Sequence, residues 1–360
     1  LWDDAVAYGL DEPARLLYRS NLLGSDLRIT NFGGGNTSVK VAAKDPLSDA
    51  DVTVLWVKGS GGDIGSMKLD GFATLYMDRL QTLRGRYSGL DQEDAMVEAL
   101  GHCIFNLNPR APSIDTWLHA FVPHAHVDHV HSDAVIAIAA AKDQVRLTAE
   151  VFGGEIGYLP WQRPGIDLGI KLGGMAEENP HLVGVVLGSH GLFTWGSTAK
   201  ACYEQTIRII NKAAVWLDAN MKRPVFGGAV MPARASEARL EAARRLMPLI
   251  RGRISGSGMK VGHFTDAPEV LEFVNSAALP SLAPLGTSGP DHFLRTKIKP
   301  LIVPADASEA ELDSLITGYR ADYAAYHDRS KRPNSPAMRD PNAVIYLVPG
   351  VGMISFAKDK

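Results

Sequence analysis

The spacing of hydrophobic residues predicts helices and short strands in the first part of the chain. Apolar side chains at helical spacing predict one helix over residues 3–24 and another over residues 93–105. Alternating or β-branched runs predict strands at residues 39–41, 52–57 and 127–131. This mixture of elements predicts an α/β protein.

A turn between two apolar strands follows further along the chain. Residues 183–187 form an apolar run, residues 188–191 have the composition of a tight turn, and residues 192–195 predict the next strand. Ser197 and Thr198 can cap a long helix that runs to about residue 219.

A shift in composition near residue 224 predicts a domain boundary there, between residues 1–224 and 225–360. An arginine-rich amphipathic helix is predicted over residues 235–250. The remaining segments predict strands and helices in alternation, at residues 260–264, 269–277, 299–303, 309–327 and 344–348. Such alternation predicts a second, smaller α/β domain.

Charge and composition exclude several classes of protein. The 360 residues include 37 Lys and Arg against 40 Asp and Glu, a net charge of −3, whereas nucleic-acid-binding proteins usually carry a basic face. The apolar run at residues 135–141 is too short to cross a bilayer, and the acidic N-terminus lacks the pattern of a signal peptide. Cys103 and Cys202 lie in apolar, helix-like stretches and predict no disulfide framework. We therefore expect no nucleic-acid or membrane partner and a cytoplasmic location.

Histidine is the strongest chemical signal in the sequence. Two His-x-His pairs lie close together, His124 with His126 and His129 with His131, among 11 histidines in total. Residues two apart in a strand point to the same face, so either pair can chelate one ion. Residues 124 and 126 would lie on the opposite face of one continuous strand from residues 129 and 131, so a single site can use only one pair. We favour His129 and His131, which end an apolar strand, although such a pair is equally compatible with hydrogen-bonded histidines.

A third ligand candidate is His190, which lies in the Gly-Ser-His-Gly turn after an apolar strand. With His129 and His131 it completes the three protein ligands of a catalytic zinc site that keeps one position open. Asp115 places a carboxylate shortly before the His-x-His pair. It can serve as a general base, as an added metal ligand or as the N-cap of a helix that starts at Thr116, and capping is the most frequent of these roles.

Two glycine-rich loops, at residues 33–38 and 58–63, have the composition of anion sites, because their backbone N–H groups can point at phosphate oxygens. Neither is a dinucleotide fingerprint, since the first loop precedes a strand and not a helix. The glycines at residues 350 and 352 are also insufficient for a dinucleotide site and predict a turn.

Together these motifs resemble the class II aldolase/adducin family over roughly residues 10–220. The matching motifs are Gly35-Asn36-Thr37-Ser38, Lys58-Gly59-Ser60-Gly61, Pro112-Ser113 followed by Asp115, His129-Val-His131 and Ser189-His190-Gly191. The resemblance implies an α/β/α sandwich around a mainly antiparallel sheet, assembled as a homotetramer or another homo-oligomer with active sites at subunit boundaries.

The resemblance also implies a role for each matching residue. His129, His131 and His190 correspond to ligands of one Zn²⁺ per chain, and Asp115 corresponds to the catalytic acid, which is usually glutamate in the family. The residues that correspond to phosphate-binding positions are Gly35, Asn36, Thr37, Ser60, Gly61 and Ser113. A serine pair of the family is Ser113-Ile114 here.

The sequence around Asp115 and the C-terminal segment resemble bifunctional rhamnulose-1-phosphate aldolase/alcohol dehydrogenase proteins. This resemblance implies zinc-dependent retro-aldol cleavage of a ketose 1-phosphate, with rhamnulose 1-phosphate giving dihydroxyacetone phosphate and lactaldehyde. A pentulose-phosphate 4-epimerase and a non-catalytic adducin-like module are the alternatives. We also expect the natural chain to continue into a nicotinamide-dependent dehydrogenase that oxidises the aldehyde.

Overall fold

The structure, a computed structural model, divides the chain into two compact units, Leu1–Asn220 and Met221–Lys360. It describes residues 1–107, 110–221, 224–333 and 335–359. No helix in these ranges combines the length and the apolar character that crossing a membrane requires.

The first unit contains helices and strands in alternation. Its described helices are α1 (Asp4–Ala7), α2 (Glu12–Gly24), α3 (Met77–Arg86), α4 (Glu93–Ala99), α5 (Thr116–Phe121), α6 (Asp133–Ala139), α7 (Gln144–Phe152), α8 (Ile166–Glu178) and α9 (Ala199–Asn220). Its described strands are β1 (Asn36–Lys44), β2 (Asp51–Lys58), β3 (Phe72–Tyr76), β4 (His126–Val130), β5 (Ile156–Leu159), β6 (Gly184–Leu187) and β7 (Gly191–Gly196).

These strands form one sheet, which within the described residues has seven strands in the order β3-β2-β1-β4-β7-β6-β5. Neighbouring strands are antiparallel except β5 and β6, which are parallel. The mainly antiparallel sheet that the resemblance implied is therefore confirmed.

The two faces of this sheet pack against different helices. On one face, Val127 and Phe193 share a core with Trp117 and other residues of α3, α5 and α8. On the other face, Val130 and Leu192 share a core with residues of α6, α7 and α9. Successive strand residues point to opposite faces, so β4 and β7 contribute to both cores. The α/β/α sandwich is confirmed.

The helix predicted over residues 3–24 is two helices in the structure. Helix α1 ends at Ala7, and Gly9 adopts a φ of +83°, a left-handed conformation that glycine allows without steric cost. Asp11 then caps α2 by accepting from Ala14 N–H at 2.9 Å, with Pro13 in the first turn. Both signals are present in the sequence at residues 8–13.

Strand β1 begins at Asn36, three residues before the predicted start at residue 39. Asparagine disfavours strands, but residues 36–39 pair antiparallel with β4 and override that preference. The polar residues 36–38, which the sequence placed at the end of a glycine loop, therefore point alternately to the two faces of the sheet.

The second unit confirms the predicted small α/β architecture. Its described helices are α10 (Ser236–Ile254), α11 (Pro268–Val274), α12 (Leu279–Leu282), α13 (Pro290–Thr296) and α14 (Glu309–Ser330). Its described strands are β8 (Val261–Thr265), β9 (Leu301–Ile302), β10 (Ile345–Val348) and β11 (Gly352–Ala357), in the sheet order β8-β11-β10-β9. The glycine-containing segment near residue 350 is the turn between β10 and β11, as its composition predicted.

A buried ion pair ties β4 to the helices on one face of the first sheet. Arg19 Nε of α2 lies 2.9 Å from Asp128 Oδ1, and both side chains are fully buried. Thr206 of α9 donates to the other carboxylate oxygen at 2.9 Å, and Arg19 Nη2 donates to Ser38 O at 2.8 Å. This pair therefore joins α2, α9, β1 and β4 at one point.

Replacing Asp128 with alanine is expected to lower the free energy of unfolding by about 3–5 kcal/mol, because the Arg19 guanidinium stays buried without its counter-charge. The double variant Arg19→Met/Asp128→Leu removes both charges and is expected to recover much of that loss. Denaturant unfolding measures both changes. The control is Asp26→Ala, which breaks an exposed pair with Arg28 and is expected to change stability little. Equal losses in Asp128→Ala and Asp26→Ala would contradict this prediction.

Candidate metal centre

The structure brings together the three histidines that the sequence pointed to. His131 Nε2 lies 2.9 Å from His129 Nε2, which lies 3.1 Å from His190 Nε2. All three side chains are buried, and their ligand atoms lie within 4.8 Å of one another. Three nitrogens around a tetrahedral Zn²⁺ would be about 3.3 Å apart, given Zn–N bonds of about 2.05 Å. The three nitrogens therefore fit one common ion.

Strand pairing explains why residues distant in sequence converge here. His129 is opposite Phe193 in the β4–β7 ladder, and the turn that joins β6 to β7 carries His190 at the same end of the sheet. A Cβ on Gly191 would lie 2.7 Å from His131 Cδ2, which is closer than real Cβ contacts. Ser189 holds a positive φ of 51° in this turn. The turn thus fits tightly against the ligand rings.

The environment of His129 favours a neutral imidazole with a lone pair available at Nε2. His129 Nδ1 lies 3.0 Å from Leu192 O, and because a carbonyl only accepts, Nδ1 carries the hydrogen. Burial, together with the neighbouring His131 and His190 rings, holds the pKa of His129 well below its usual range. The Phe193 ring stacks on His129 with centroids 4.1 Å apart. This donor chemistry is what a divalent ion such as Zn²⁺ requires.

The competing His-x-His pair lies elsewhere. His126 is on the opposite face of β4, where its Nδ1 lies 3.0 Å from Arg19 Nη1. His124 precedes the strand and stacks on Trp195 with centroids 5.5 Å apart. Neither ring is part of the cluster of three histidines.

The carboxylate of Asp115 lies on the same sheet face as the cluster. Asp115 precedes α5, yet its side chain makes no capping hydrogen bond to that helix. Its Oδ2 instead accepts from Asn36 Nδ2 at 3.0 Å. Asn36 is directly opposite His129 in the β1–β4 ladder, so one cross-strand neighbour separates the carboxylate from the histidines.

Thr37 and Ser113, two of the residues expected to bind phosphate, make hydrogen bonds within the protein. Thr37 pairs with Asp128, and its hydroxyl lies on the opposite face from His129, 2.6 Å from Ser20 Oγ. The Thr37 side chain thus faces away from the histidine cluster, because β1 begins at residue 36 and side chains alternate along the strand. The hydroxyl of Ser113 is nearly buried and accepts from Asp115 N–H at 3.2 Å.

The two glycine loops differ in exposure. Gly35 is buried, and a Cβ there would lie 2.6 Å from His129 O, so close packing against β4 requires the glycine. Ser60 and Gly61 are exposed in the loop after β2, with Gly61 at a φ of +73° and open space around it. The Asp63 carboxylate accepts from Gly33 N–H at 3.1 Å and so ties the two loops together.

The sequence analysis did not predict the hydrogen bonds that connect Asp115, through Asn36 of β1, to a residue of α5. This connection runs through His119 of α5. In the structure its Nδ1 lies 2.7 Å from Ser38 Oγ and its Nε2 lies 3.3 Å from Asn36 Oδ1. The position of His119 one helical turn after Asp115 was the available signal, but the partners on β1 depend on strand pairing.

Comparison with known proteins gives consistent matches over both units. A family model described as Class II Aldolase and Adducin N-terminal domain matches residues 14–217, and one described as Aldolase class II, second domain matches residues 241–360. A relative in Bacillus subtilis (strain 168), named uncharacterized oxidoreductase YuxG, is 35% identical over 367 residues, covering 99% of this chain and 53% of the relative. The chain thus spans about half the length of that relative.

Among solved structures, the N-terminal class II aldolase domain of a conserved protein from Thermoplasma acidophilum is similar to the first unit. It is 32% identical, with a TM-score of 0.52, and the match covers 57% of this chain and 94% of that one. The family models, the fold of the first unit and the clustered histidines agree, and the chain belongs to the class II aldolase/adducin family.

Proposed function

We propose that this protein is a zinc-dependent aldolase that cleaves a ketose 1-phosphate, with rhamnulose 1-phosphate as the preferred substrate. The observation that carries the proposal is the convergence of three buried histidine nitrogens on the sheet face where the Asp115 carboxylate contacts Asn36. A non-catalytic adducin-like module would have no use for this combination, since each buried polar group costs free energy unless it is satisfied.

The residues divide the chemistry among them. Zn²⁺ held by His129, His131 and His190 supplies Lewis-acid polarisation of the substrate oxygens. Asp115 takes the proton of the substrate hydroxyl at C4 as the bond between C3 and C4 breaks, and the electron pair of that bond stays on C3. The same carboxyl group then returns the proton to C3, so the ketose phosphate yields one aldehyde and dihydroxyacetone phosphate.

Phosphate recognition falls to the exposed part of the glycine loops. Ser60 carries its hydroxyl on an exposed loop, and Gly61 leaves the backbone accessible. The Ser60 N–H is already used, since it donates to Ala111 O at 2.8 Å. We therefore assign phosphate contacts to the Ser60 hydroxyl and the Gly61 backbone, where binding energy can orient the reacting bond.

Assembly and fusion to a second enzyme stay predictions. A homotetramer or another homo-oligomer would complete the active site at a subunit boundary. A dehydrogenase joined to the aldolase would oxidise lactaldehyde and so pull the cleavage forward.

Product analysis tests the reaction itself. Incubation with rhamnulose 1-phosphate and Zn²⁺ is expected to release dihydroxyacetone phosphate and lactaldehyde in equal amounts. Parallel incubations with pentulose phosphates test the epimerase alternative, in which the sugar is interconverted without cleavage. Absence of cleavage for every ketose 1-phosphate tried would overturn the proposal.

Metal analysis of protein purified without chelator is expected to show about one ion per chain, as one three-histidine site requires. His129→Ala is expected to abolish metal binding and cleavage, because two remaining imidazoles form a much weaker site. His124→Gln is the matched control and is expected to keep its metal, since that ring lies outside the cluster. Full activity in a metal-free sample, or metal loss in His124→Gln, would count against the assignment.

Asp115→Asn is expected to reduce kcat by about 10²–10⁴-fold, the usual scale for a lost general base. Metal content and melting temperature should change little, because an amide of the same size still accepts from Asn36. Steady-state kinetics, metal analysis and thermal melting of this variant show whether Asp115 is the catalytic base. Near-normal turnover combined with early melting would mean that Asp115 is structural.

A further inference from the structure

A chain of buried hydrogen bonds leads from the interior of the first unit to the Asp115 carboxylate. Ser38 Oγ is 2.7 Å from His119 Nδ1, His119 Nε2 is 3.3 Å from Asn36 Oδ1, and Asn36 Nδ2 is 3.0 Å from Asp115 Oδ2. Ser38, His119 and Asn36 are buried, and His119 has no exposed surface. The chain therefore cannot exchange its partners for bulk water.

The fold places these residues in one layer with the metal-binding rings. Asn36 and Ser38 are two apart on β1 and so share the sheet face of His129. His119 lies on α5, which packs on that face, and its ring centroid is 5.4 Å from that of Phe193, the residue stacked on His129.

An ionised carboxylate at Asp115 fixes the direction of every hydrogen bond in the chain. Because a carboxylate only accepts, Asn36 must turn its NH₂ group toward Asp115 and its Oδ1 toward His119. His119 Nε2 must then carry a hydrogen. Burial lowers the pKa of His119 to about 3, so the ring is neutral and has only one N–H. Nδ1 therefore accepts, and the Ser38 hydroxyl donates.

We propose that His119 is a positioning residue that acts through Asn36 to hold the Asp115 carboxylate in place for proton transfer. The proposal rests on the aldolase function proposed above. It also revises the role of Asn36, which the family resemblance assigned to phosphate binding.

Both hydrogens of the Asn36 amide are used within the protein. One is donated to Asp115 Oδ2, and the other points to Ser113 Oγ at 3.4 Å. With His119 on its oxygen, the amide is held on both sides and cannot rotate without losing these bonds. Asp115 Oδ2 is thereby kept as an acceptor, and the carboxylate is held in one place for proton exchange with substrate.

The first test needs no activity. ¹⁵N NMR of labelled protein is expected to show the neutral Nε2–H tautomer for His119 at pH 7. Asn36→Leu removes the acceptor of that hydrogen, and the ring is then expected to shift toward the Nδ1–H tautomer, with Ser38 Oγ as acceptor. A wild-type Nδ1–H tautomer, or a tautomer unaffected by Asn36→Leu, would overturn the proposal.

The second test is kinetic. His119→Phe keeps the ring packed but removes the donor, and it is expected to lower kcat about ten- to hundred-fold, the range for lost support of a reacting group. KM and metal content should stay within about twofold. His119→Gln retains a donor and an acceptor and should recover much of the loss. His124→Gln, a histidine outside the chain, is the control and should match wild type.

A double-mutant cycle decides whether His119 acts through Asp115. In the Asp115→Asn background, His119→Phe is expected to cause no further loss of kcat, because the group it positions is already disabled. An equal loss in both backgrounds would show an independent structural effect and overturn the proposal. If no substrate is cleaved but the NMR result holds, the proposed function fails and the hydrogen-bonded arrangement stands.

Discussion

The pairing of β4 with strands on both sides is the constraint on which the site depends. His129 is held between Asn36 of β1 and Phe193 of β7 in two antiparallel ladders. A slip of one residue in either ladder would turn His129 to the other face and bring Asp128 in its place. The buried Arg19–Asp128 pair opposes such a slip, because Asp128 would then lose its counter-charge. The buried ion pair on one face of the sheet therefore helps to keep His129 on the other face.

Desolvation makes the histidine cluster suitable for a cation. The same burial that lowers the pKa of His129 removes competing protons from its Nε2. Since Leu192 O already holds the hydrogen on Nδ1, the ring can offer only a lone pair toward His131 and His190. The three Nε2 atoms lie close enough together to ligate one divalent cation.

The parts of the site that sequence could predict are those governed by local rules. The alternation of side chains along a strand showed that one site can use only one His-x-His pair, and the place of His129 and His131 at the end of an apolar strand favoured them. The turn composition around His190 indicated its place at a strand end. The start of β1 could not be predicted in the same way. Asn36 follows a glycine run and has low strand propensity, and only its pairing with His129 brings it into the sheet. The direction of the Thr37 side chain could not be predicted for the same reason, because it depends on where the strand begins.

The same dependence on long-range pairing explains why the role of Asn36 was hidden. Its partners lie 77 to 83 positions away in the sequence, in the segment from Ser113 to His119. Nothing local to residue 36 indicates that its amide is occupied, and a polar residue after glycines is typical of an anion loop. The four-residue spacing of Asp115 and His119 indicated only that they share one side of a helical turn.

An aspartate at position 115 is consistent with a carboxylate that is held by the Asn36 amide. The family usually has a glutamate there, which has one more rotatable bond and so loses more side-chain entropy when its carboxylate is fixed. Asp115 sits at the start of α5, where its own N–H donates to Ser113 Oγ at 3.2 Å, so the backbone sets the carboxylate position closely. Asn36 then contacts the carboxylate at 3.0 Å. An added methylene would move the carboxylate by more than a hydrogen bond tolerates unless the side chain folded back. The shorter acid and its partner on β1 are therefore matched to each other.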